Sequence, residues 1–509
     1  MNPIDFIVPA LQQLLLPGNL LLIFGGLIIG VIVGCVPGLN VTMGVILVLP
    51  LTHGLESAAS AIMLLMAVYC GGMYGGSISA VLLNMPGTVS SIATTFDGYP
   101  LAKAGKAKKA LRAALYSSVF GGIFSSIILI TLASFIAQFV GRFASPEYFA
   151  LGVLGISLVA GVSGDSLPKG IMAGLIGIFI STIGIDPVTG VARFTFGQQI
   201  LHFGIDMLPT MIALIALTQI LFKSRDFVLT KGDMNSITKM DKEGLSLKEA
   251  KSILPTAARS SLLACFMGAM PGVGGCVTQF LCYNEARRKS KRPQDFGKGS
   301  LEGIAAAEAS NNAVAGSALI PLLTLGIPGD GVTALLLGAF ILHGVQPGPA
   351  MFTNHGVTTY SIMMSVTLSA IMLLFVGLVF TRVVAQVIRV RYSYLTPIIL
   401  MFCFAGAFAA TGHIKEVTIA AVILVVSYIL NILKISAIPL MLGMILAGIM
   451  ETNFVTSMMA HGHDLTVFFR RPVSLVILIL TVVLTWAFLR INRKVNATIS
   501  SEQSDGLAD

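Results

Sequence analysis

The chain has 509 residues; 55% are hydrophobic, only 11% are charged, and the mean hydropathy is +0.89. Soluble domains carry about 25% charged residues, so a soluble globular protein is excluded. The net charge of +9 is no nucleic-acid footprint, because Lys and Arg sit in short stretches between apolar segments, as cytoplasmic loops do under the positive-inside rule.

A membrane span needs about 20 mostly apolar residues, and segmentation on that basis gives roughly ten to fourteen membrane-inserted segments. Ser57 to Phe96, Ala113 to Val140 and Gly331 to Thr381 contain no Asp, Glu, Lys or Arg. Such long unalternating runs exclude a β-barrel and predict an all-α polytopic fold. The N-terminus lacks a basic n-region and a small-residue cleavage site, so no cleavable signal peptide is expected.

Residues 1–17 read as a short amphipathic lead-in. Leu20 to Leu51 is apolar, with Pro37-Gly38 near its centre. Each arm is about 13–17 residues, or ~20–25 Å as helix, and one arm falls short of the ~30 Å hydrocarbon core. Two shapes fit: a re-entrant hairpin, or one long kinked segment. Either exposes backbone polar groups at depth, where they must line a cavity or be buried in protein. Ser57 to Leu83 follows, rich in small residues (Gly71, Gly72, Gly75, Gly76, Ser77) that let helices approach closely. It runs into a second break, Asn84-Met-Pro86-Gly87. Lys103, Lys106, Lys108, Lys109 and Arg112 then predict a cytoplasmic loop.

Four segments, about 113–140, 148–162, 167–185 and 205–222, lead to a polar linker, Lys223 to Arg259. Ser260 to Tyr283 is broken at Pro271-Gly272 and is followed by a strongly basic loop with Arg287, Arg288, Lys289, Lys291, Arg292 and Lys298. If both flanks are cytoplasmic, this segment is a re-entrant hairpin. Glu302 to Leu325 carries Glu308, Asn311 and Asn312 on an Ala-rich helix that ends in Gly326-Ile-Pro328-Gly329. Further segments span about 357–381, 395–411, 416–433, 436–450 and 472–489. The expected division is a first membrane repeat over 1–222, a linker over 223–259, a second repeat over 260–494 and a polar tail over 495–509.

The six cysteines form no C-x-x-C pair and read as small buried hydrophobes. His461-Gly-His463-Asp464 lacks helical spacing for a metal and reads as a polar loop. No metal or cofactor is expected, beyond a coupling cation, Na⁺ or H⁺. No G-x-x-x-x-G-K-[ST] motif for ATP is present.

The breaks repeat. The first recurs at an offset of 271 − 37 = 234 and the second at 328 − 86 = 242. Equivalent loops carry opposite charge: 52–56 has no Lys or Arg while 284–300 is basic, and 97–112 is basic while 343–356 has none. Equivalent loops on opposite sides of the membrane define an inverted-topology repeat. In such folds broken helices meet near the midplane, where helix N-termini face an anion and unwound carbonyls hold a cation.

Two stretches carry a family resemblance. The first is Pro37-Gly-Leu39, Tyr69-Cys-Gly-Gly-Met-Tyr-Gly-Gly-Ser77, Asn84-Met-Pro-Gly87 and Asp97-Gly-Tyr-Pro100. The second is Pro271-Gly-Val-Gly274, Phe296-Gly-Lys-Gly299, Glu302-Gly303, Glu308-Ala-Ser-Asn-Asn312, Leu325-Gly-Ile-Pro-Gly329 and His343-Gly-Val-Gln-Pro-Gly348. Together these resemble the large membrane subunit of tripartite tricarboxylate transporters over nearly the whole chain. The departures are Gly-Val-Gly-Gly-Cys after Pro271, Asn284 after Tyr283, and Phe454-Val455 after Glu451-Thr-Asn453, where the family often has Arg. The resemblance implies a permease that works with a small membrane subunit and a periplasmic solute-binding protein in the bacterial cytoplasmic membrane. It also implies import of a carboxylate driven by an ion gradient.

The candidate substrate- or ion-binding residues flank the breaks: Pro37, Gly38, Asn40 and Thr42; Asn84, Pro86, Gly87 and Thr88; Pro271, Gly272, Gly274, Gly275 and Thr278; Asn311, Asn312 and Thr324; Gly326, Pro328 and Gly329. Their Asn and Thr side chains either bind carboxylate or cation, or cap the half-helices. Glu308 and Asp97 are candidate coupling acids. An alternative is an intramembrane aspartyl hydrolase using Asp165 and Asp330; another is a passive anion channel. The duplicated, inverted pattern favours a secondary transporter over both, and no enzymatic activity is expected.

Overall fold

In the computed structural model, the described residues are 4–36, 39–141, 143–162, 167–186, 190–222, 244–270, 274–387, 392–409 and 413–486. Among them, six helices are long and apolar enough to cross a membrane: Pro17–Cys35, Ala58–Leu83, Ile92–Val140, Gly356–Thr381, Ile414–Ile432 and Ala437–Ala460. Six shorter apolar helices accompany them. The chain is an all-α polytopic membrane protein; its described strands are one pair of two residues each, Gly184–Ile185 and Ala192–Arg193.

The helices fall into two compact units, Met1–Gly141 with Leu208–Leu424, and Arg142–Met207 with Val425–Asp509. Each unit draws on both halves of the chain.

In the first unit, α1 (Ile4–Leu14) lies along a long helix near the C-terminal end of the unit. α2 (Pro17–Cys35) and α3 (Val41–Val48) form a helical hairpin. The direction of α3 settles the choice between hairpin and kink. Gly44 of α3 lies back beside Val33 of α2, so the chain reverses. The hairpin packs on α4 (Ala58–Leu83), a fully buried helix. Gly26, Gly30 and Gly34 of α2 climb alongside Leu64, Val68 and Gly72 of α4, so the two helices are parallel. A Cβ at Gly30 would sit 2.3 Å from Val68 O, and one at Gly75 would sit 2.5 Å from Val31 O. The glycine stripe is therefore the condition for backbone-to-backbone contact.

α5 (Ile92–Leu101) and α6 (Ala107–Val140) are joined through a π-helical turn in which Gly105 takes φ +81°. The basic stretch 97–112 is thus helical rather than a loop: Ala, Leu and Lys are good helix formers, and Gly105 supplies the bend. The second unit contains α7 (Ser145–Val162) and α8 (Leu167–Ser181). α9 (Met207–Phe222) precedes residues 223–243, which lie outside the described set.

The second half repeats the first design. α10 (Leu247–Gly268) and α11 (Gly274–Lys289) form a hairpin that packs on α12 (Leu301–Ser317), which continues as α13 (Leu319–Leu325). Cys282 of α11 donates to Ser260 O of α10, closing the hairpin. α10 starts at Leu247, not at Ser260 as the polarity of the linker suggested. A capping box causes this: Ser246 Oγ accepts from Glu249 N, and Glu249 Oε2 accepts from Ser246 N. α14 (Gly331–Leu342) follows the last break; α15 (Pro349–Asn354), α16 (Gly356–Val387) and α17 (Tyr392–Ala409) continue the chain. α18 (Ile414–Ile432), α19 (Ala437–Ala460), α20 (Val467–Arg470) and α21 (Pro472–Trp486) complete it.

The lead-in helix α1 docks on α16, where Phe6 stacks on Tyr360 and Ser361 donates to Gln13 Oε1 at 2.8 Å. Five cysteines are buried and Cys276 is half-buried. The 461–464 stretch is a polar turn in which Asp464 accepts from Thr466 N.

Candidate functional site

The second break of each half has the same local structure. Asn84 ends α4 at φ 56°, ψ 28°, and Gly326 ends α13 at φ 70°, ψ 19°. Both are left-handed caps, a conformation that Asn and Gly tolerate. Four residues later each chain starts a new helical element with a capping box, Thr88 with Ser91 and Asp330 with Thr333. Between cap and box, each glycine lies on its preceding helix. A Cβ on Gly87 would lie 2.7 Å from Gly76 Cα, and one on Gly329 would lie 2.9 Å from Ala318 Cβ. All of these pairs share the offset of 242 residues read from the sequence.

Residues flanking the breaks also touch. A Cβ on Gly87 would lie 2.1 Å from Gly34 O, so the C-terminal end of α2 is in contact with the second break of the first half. A Cβ on Gly275, beside the first break of the second half, would lie 2.9 Å from Ser90 Cβ, beside the second break of the first half. α3 packs against α14, and Tyr69 of α4 donates to Asp330 Oδ2 at 3.0 Å.

α4 and α12, the equivalent helices of the two halves, cross antiparallel. Asn311 Nδ2 donates to Met73 O at 3.2 Å, and one turn along, Ser77 Oγ donates to Glu308 Oε2 at 2.5 Å. Glu308 is fully buried. Ser118 Oγ of α6 donates to its Oε2 at 2.9 Å, and Thr94 Oγ1 of α5 donates to its Oε1. Three helices remote in sequence thus aim hydroxyls at one carboxylate. Among the described residues no Lys, Arg or His pairs with it. A buried carboxylate without a countercharge costs several kcal/mol, about as much as breaking a buried ion pair.

Asp97 is different. Its Oδ1 accepts the backbone N–H groups of Gly297, Gly299 and Ser300 at 2.8, 2.9 and 2.7 Å, and its Oδ2 accepts from Tyr283 Oη at 2.7 Å. Four donors from the second half hold this carboxylate, which makes it the anchor of the Phe-Gly-Lys-Gly-Ser turn. That turn leads into α12, whose N-cap is Ser300.

The remaining candidates divide. Asn40 caps α3, accepting from Met43 N at 2.9 Å and donating to Gln219 Oε1 at 3.1 Å. Thr88 caps the turn before α5, and Thr324 donates to Ile320 O within its own helix. Thr42 is half-buried in the first turn of α3; Asn84 and Pro86 are exposed; Pro328 is buried. Gly274 opens α11 and Thr278 is buried on it. Asn312 is 3% exposed, and its Nδ2 has no partner. Pro37, Gly38, Pro271 and Gly272 lie outside the described residues, as does Asp165. Asp330, its imagined partner, is committed to capping α14 and to Tyr69.

Several residues escaped the sequence reading. Ser77 lies inside the glycine stripe and reads there as a packing residue. Ser118 sits in an apolar run with no polar neighbour pattern. Gln279 of α11 joins the halves, accepting from Ala93 N and donating to Ala307 O, each at 3.1 Å. In the second unit, Glu451 lacks the family's nearby Arg, yet it is ion-paired: Arg193 reaches it at 2.5 Å and Asp186 at 3.5 Å. The partner comes from the short β-pair 258 residues earlier, a distance that local sequence comparison does not cover.

Paired helix hairpins pack on antiparallel central helices in a polytopic membrane protein, with an isolated buried carboxylate where those helices cross. Residues 20–442 match the tripartite tricarboxylate transporter TctA family, and the chain belongs to that family. It is 31% identical over 463 residues, 91% of each chain, to an uncharacterised 52.8 kDa protein from the TAR-I ttuC′ 3′ region of Agrobacterium vitis. It is 33% identical over 208 residues to an uncharacterised protein from the TAR-II ttuC′ 3′ region of the same organism, covering 41% of this chain and 86% of that one. No solved structure matches the chain.

Proposed function

We propose that this chain is the permease of an ion-gradient-driven importer of an organic anion, a di- or tricarboxylate such as citrate. It acts in the bacterial cytoplasmic membrane with a small membrane subunit and a periplasmic solute-binding protein. Membership in a tripartite family supports those partners.

The observation that carries the anion assignment is the contact between Gly275 and Ser90. It puts the start of α11 beside the capped turn that starts α5. Two helix N-termini side by side offer backbone N–H groups and two positive dipole ends to one anion. The unpartnered Asn312 Nδ2 adds a buried donor that calls for an acceptor. The candidate carboxylate site is therefore the region of Thr88, Gly274, Gly275 and Asn312. Glu308 supplies the coupling: its isolated buried charge needs a cation before the site can close, so cation and anion travel together.

The test is uptake of radiolabelled citrate and other carboxylates in cells with and without the gene, with each ion gradient collapsed in turn. Gene-dependent accumulation that disappears when a gradient is collapsed supports the proposal. Accumulation that survives collapse of both the proton and sodium gradients overturns it.

A further inference from the structure

Around Glu308 the supply of hydrogens runs short. Ser77 has one hydroxyl hydrogen but two acceptors in reach, Glu308 Oε2 at 2.5 Å and Met73 O at 3.3 Å. Ser118 and Thr94 spend their single hydrogens on the same carboxylate. Asn311 lies one turn from Glu308 on the same face of α12. Its Nδ2 donates to Met73 O, which fixes the amide orientation and leaves its buried Oδ1 without a partner. One carboxylate, three hydroxyl oxygens, an amide oxygen and a backbone carbonyl thus form one connected group with too many lone pairs.

We infer that this group is a binding site for a hard monovalent cation of sodium's size, with Glu308 and Asn311 Oδ1 as its principal ligands and Ser77, Thr94 and Ser118 completing the shell. The assignment rests on the ion-driven reading above and chooses between its two ions. Oxygen-only ligands select hard cations. A single carboxylate balances a single charge, and among the described residues no group of three or more His, Cys, Asp or Glu could hold a metal ion. That argues against a divalent ion. A proton on Glu308 would satisfy one oxygen but would leave Asn311 Oδ1 without a donor; a cation beside the carboxylate answers both. Hydroxyls packed within 2.9 Å of the carboxylate favour a small ion over K⁺. On α12 the orphan acceptor of Asn311 is followed directly by the orphan donor of Asn312.

The experiment is equilibrium binding of radiolabelled Na⁺ to the purified full-length protein in detergent, with competition by unlabelled Li⁺, K⁺ and Ca²⁺. Saturable Na⁺ binding is expected, displaced by Li⁺ better than by K⁺, and weakened about tenfold or more in Glu308→Gln. Asn311→Asp provides a second arm that does not depend on losing function: a second carboxylate turns the site toward a divalent ion, so Ca²⁺ displaces Na⁺ from this variant and not from the parent. Absence of saturable Na⁺ binding in the parent, or unchanged binding in a folded Glu308→Gln, overturns the assignment. The two readings fail separately. Carboxylate uptake abolished by a protonophore alone, with no Na⁺ binding, removes the sodium site and leaves the transporter. Saturable Na⁺ binding without gradient-dependent uptake retains the site and removes the transporter.

Discussion

Ser300 donates its backbone N–H to Asp97 Oδ1 at 2.7 Å, joining α5, where the basic stretch 97–112 begins, to the basic loop before α12. On the other pair of loops, His343 Nε2 and Thr52 Oγ1 are 2.8 Å apart. Thr52 gives its own hydrogen to Leu49 O, so His343 is the donor. Basic segments thus meet basic, and neutral loops meet neutral. That is the pairing an inverted repeat requires if the positive-inside rule sets the sides.

Asp97→Ala leaves three backbone N–H groups and a tyrosine hydroxyl without their acceptor. Each buried orphan costs about 1–3 kcal/mol, so unfolding in detergent should shift markedly to lower temperature. Gly303→Ala tests the same anchor from the other side, because its Cβ would lie 2.0 Å from Asp97 Oδ2. Thermal unfolding curves of both variants that match the parent would rule out the anchoring role.

Gly87→Ala drives a methyl group into Gly34 O, where a Cβ would lie 2.1 Å away. Overpacking of this kind costs about 1–3 kcal/mol or more, and because it pushes the end of α2 away from the second break it should also abolish carboxylate uptake. Gly18→Ala and Gly54→Ala meet nothing within 4 Å and serve as controls with near-parental uptake. Normal uptake by Gly87→Ala would detach the break geometry from transport.

Glu249 is held down to about 2 by its hydrogen bond with Lys109, helped by Ser246. A carboxyl depressed in the folded state contributes stability in full above its ordinary value near 4.5 and loses it as pH falls towards 2. The side chain is a third exposed, so the contribution is below about 1 kcal/mol after solvent screening. Glu249→Gln should flatten the dependence of thermal stability on pH in that window and leave it unchanged near neutrality. A parental slope in the variant would contradict the assignment.

Arg193 and Glu451 form an ion pair although the Arg that the family often carries near Glu451 is missing. A double-mutant cycle with Arg193→Ala and Glu451→Ala should give a coupling of about 0.5–3 kcal/mol in thermal or denaturant unfolding. Additive single-variant effects would show that the pair contributes nothing.

Much of this architecture was legible because glycine, proline and charge act locally. Asn84 and Gly326, or Thr88 and Asp330, can be paired by counting residues, and loop charge orients them. The carboxylate cradle was not legible. Ser77, Thr94 and Ser118 lie 231, 214 and 190 residues from Glu308, and each looks like an ordinary small residue in an apolar helix. Only the antiparallel crossing of α4 and α12 brings them together. The start of α10 was missed for another reason: its charged first turns have the composition of a linker, and the capping box at Ser246 and Glu249 is the sole local sign of where it begins.

The central claim is that Glu308 couples ion entry to carboxylate import. It is tested most directly by comparing parent and Glu308→Gln in proteoliposomes with the proposed small membrane subunit and loaded solute-binding protein, measuring both gradient-driven accumulation and carboxylate exchange at zero gradient. Loss of accumulation with exchange retained is the predicted result; accumulation at the parental rate in the variant would contradict the account.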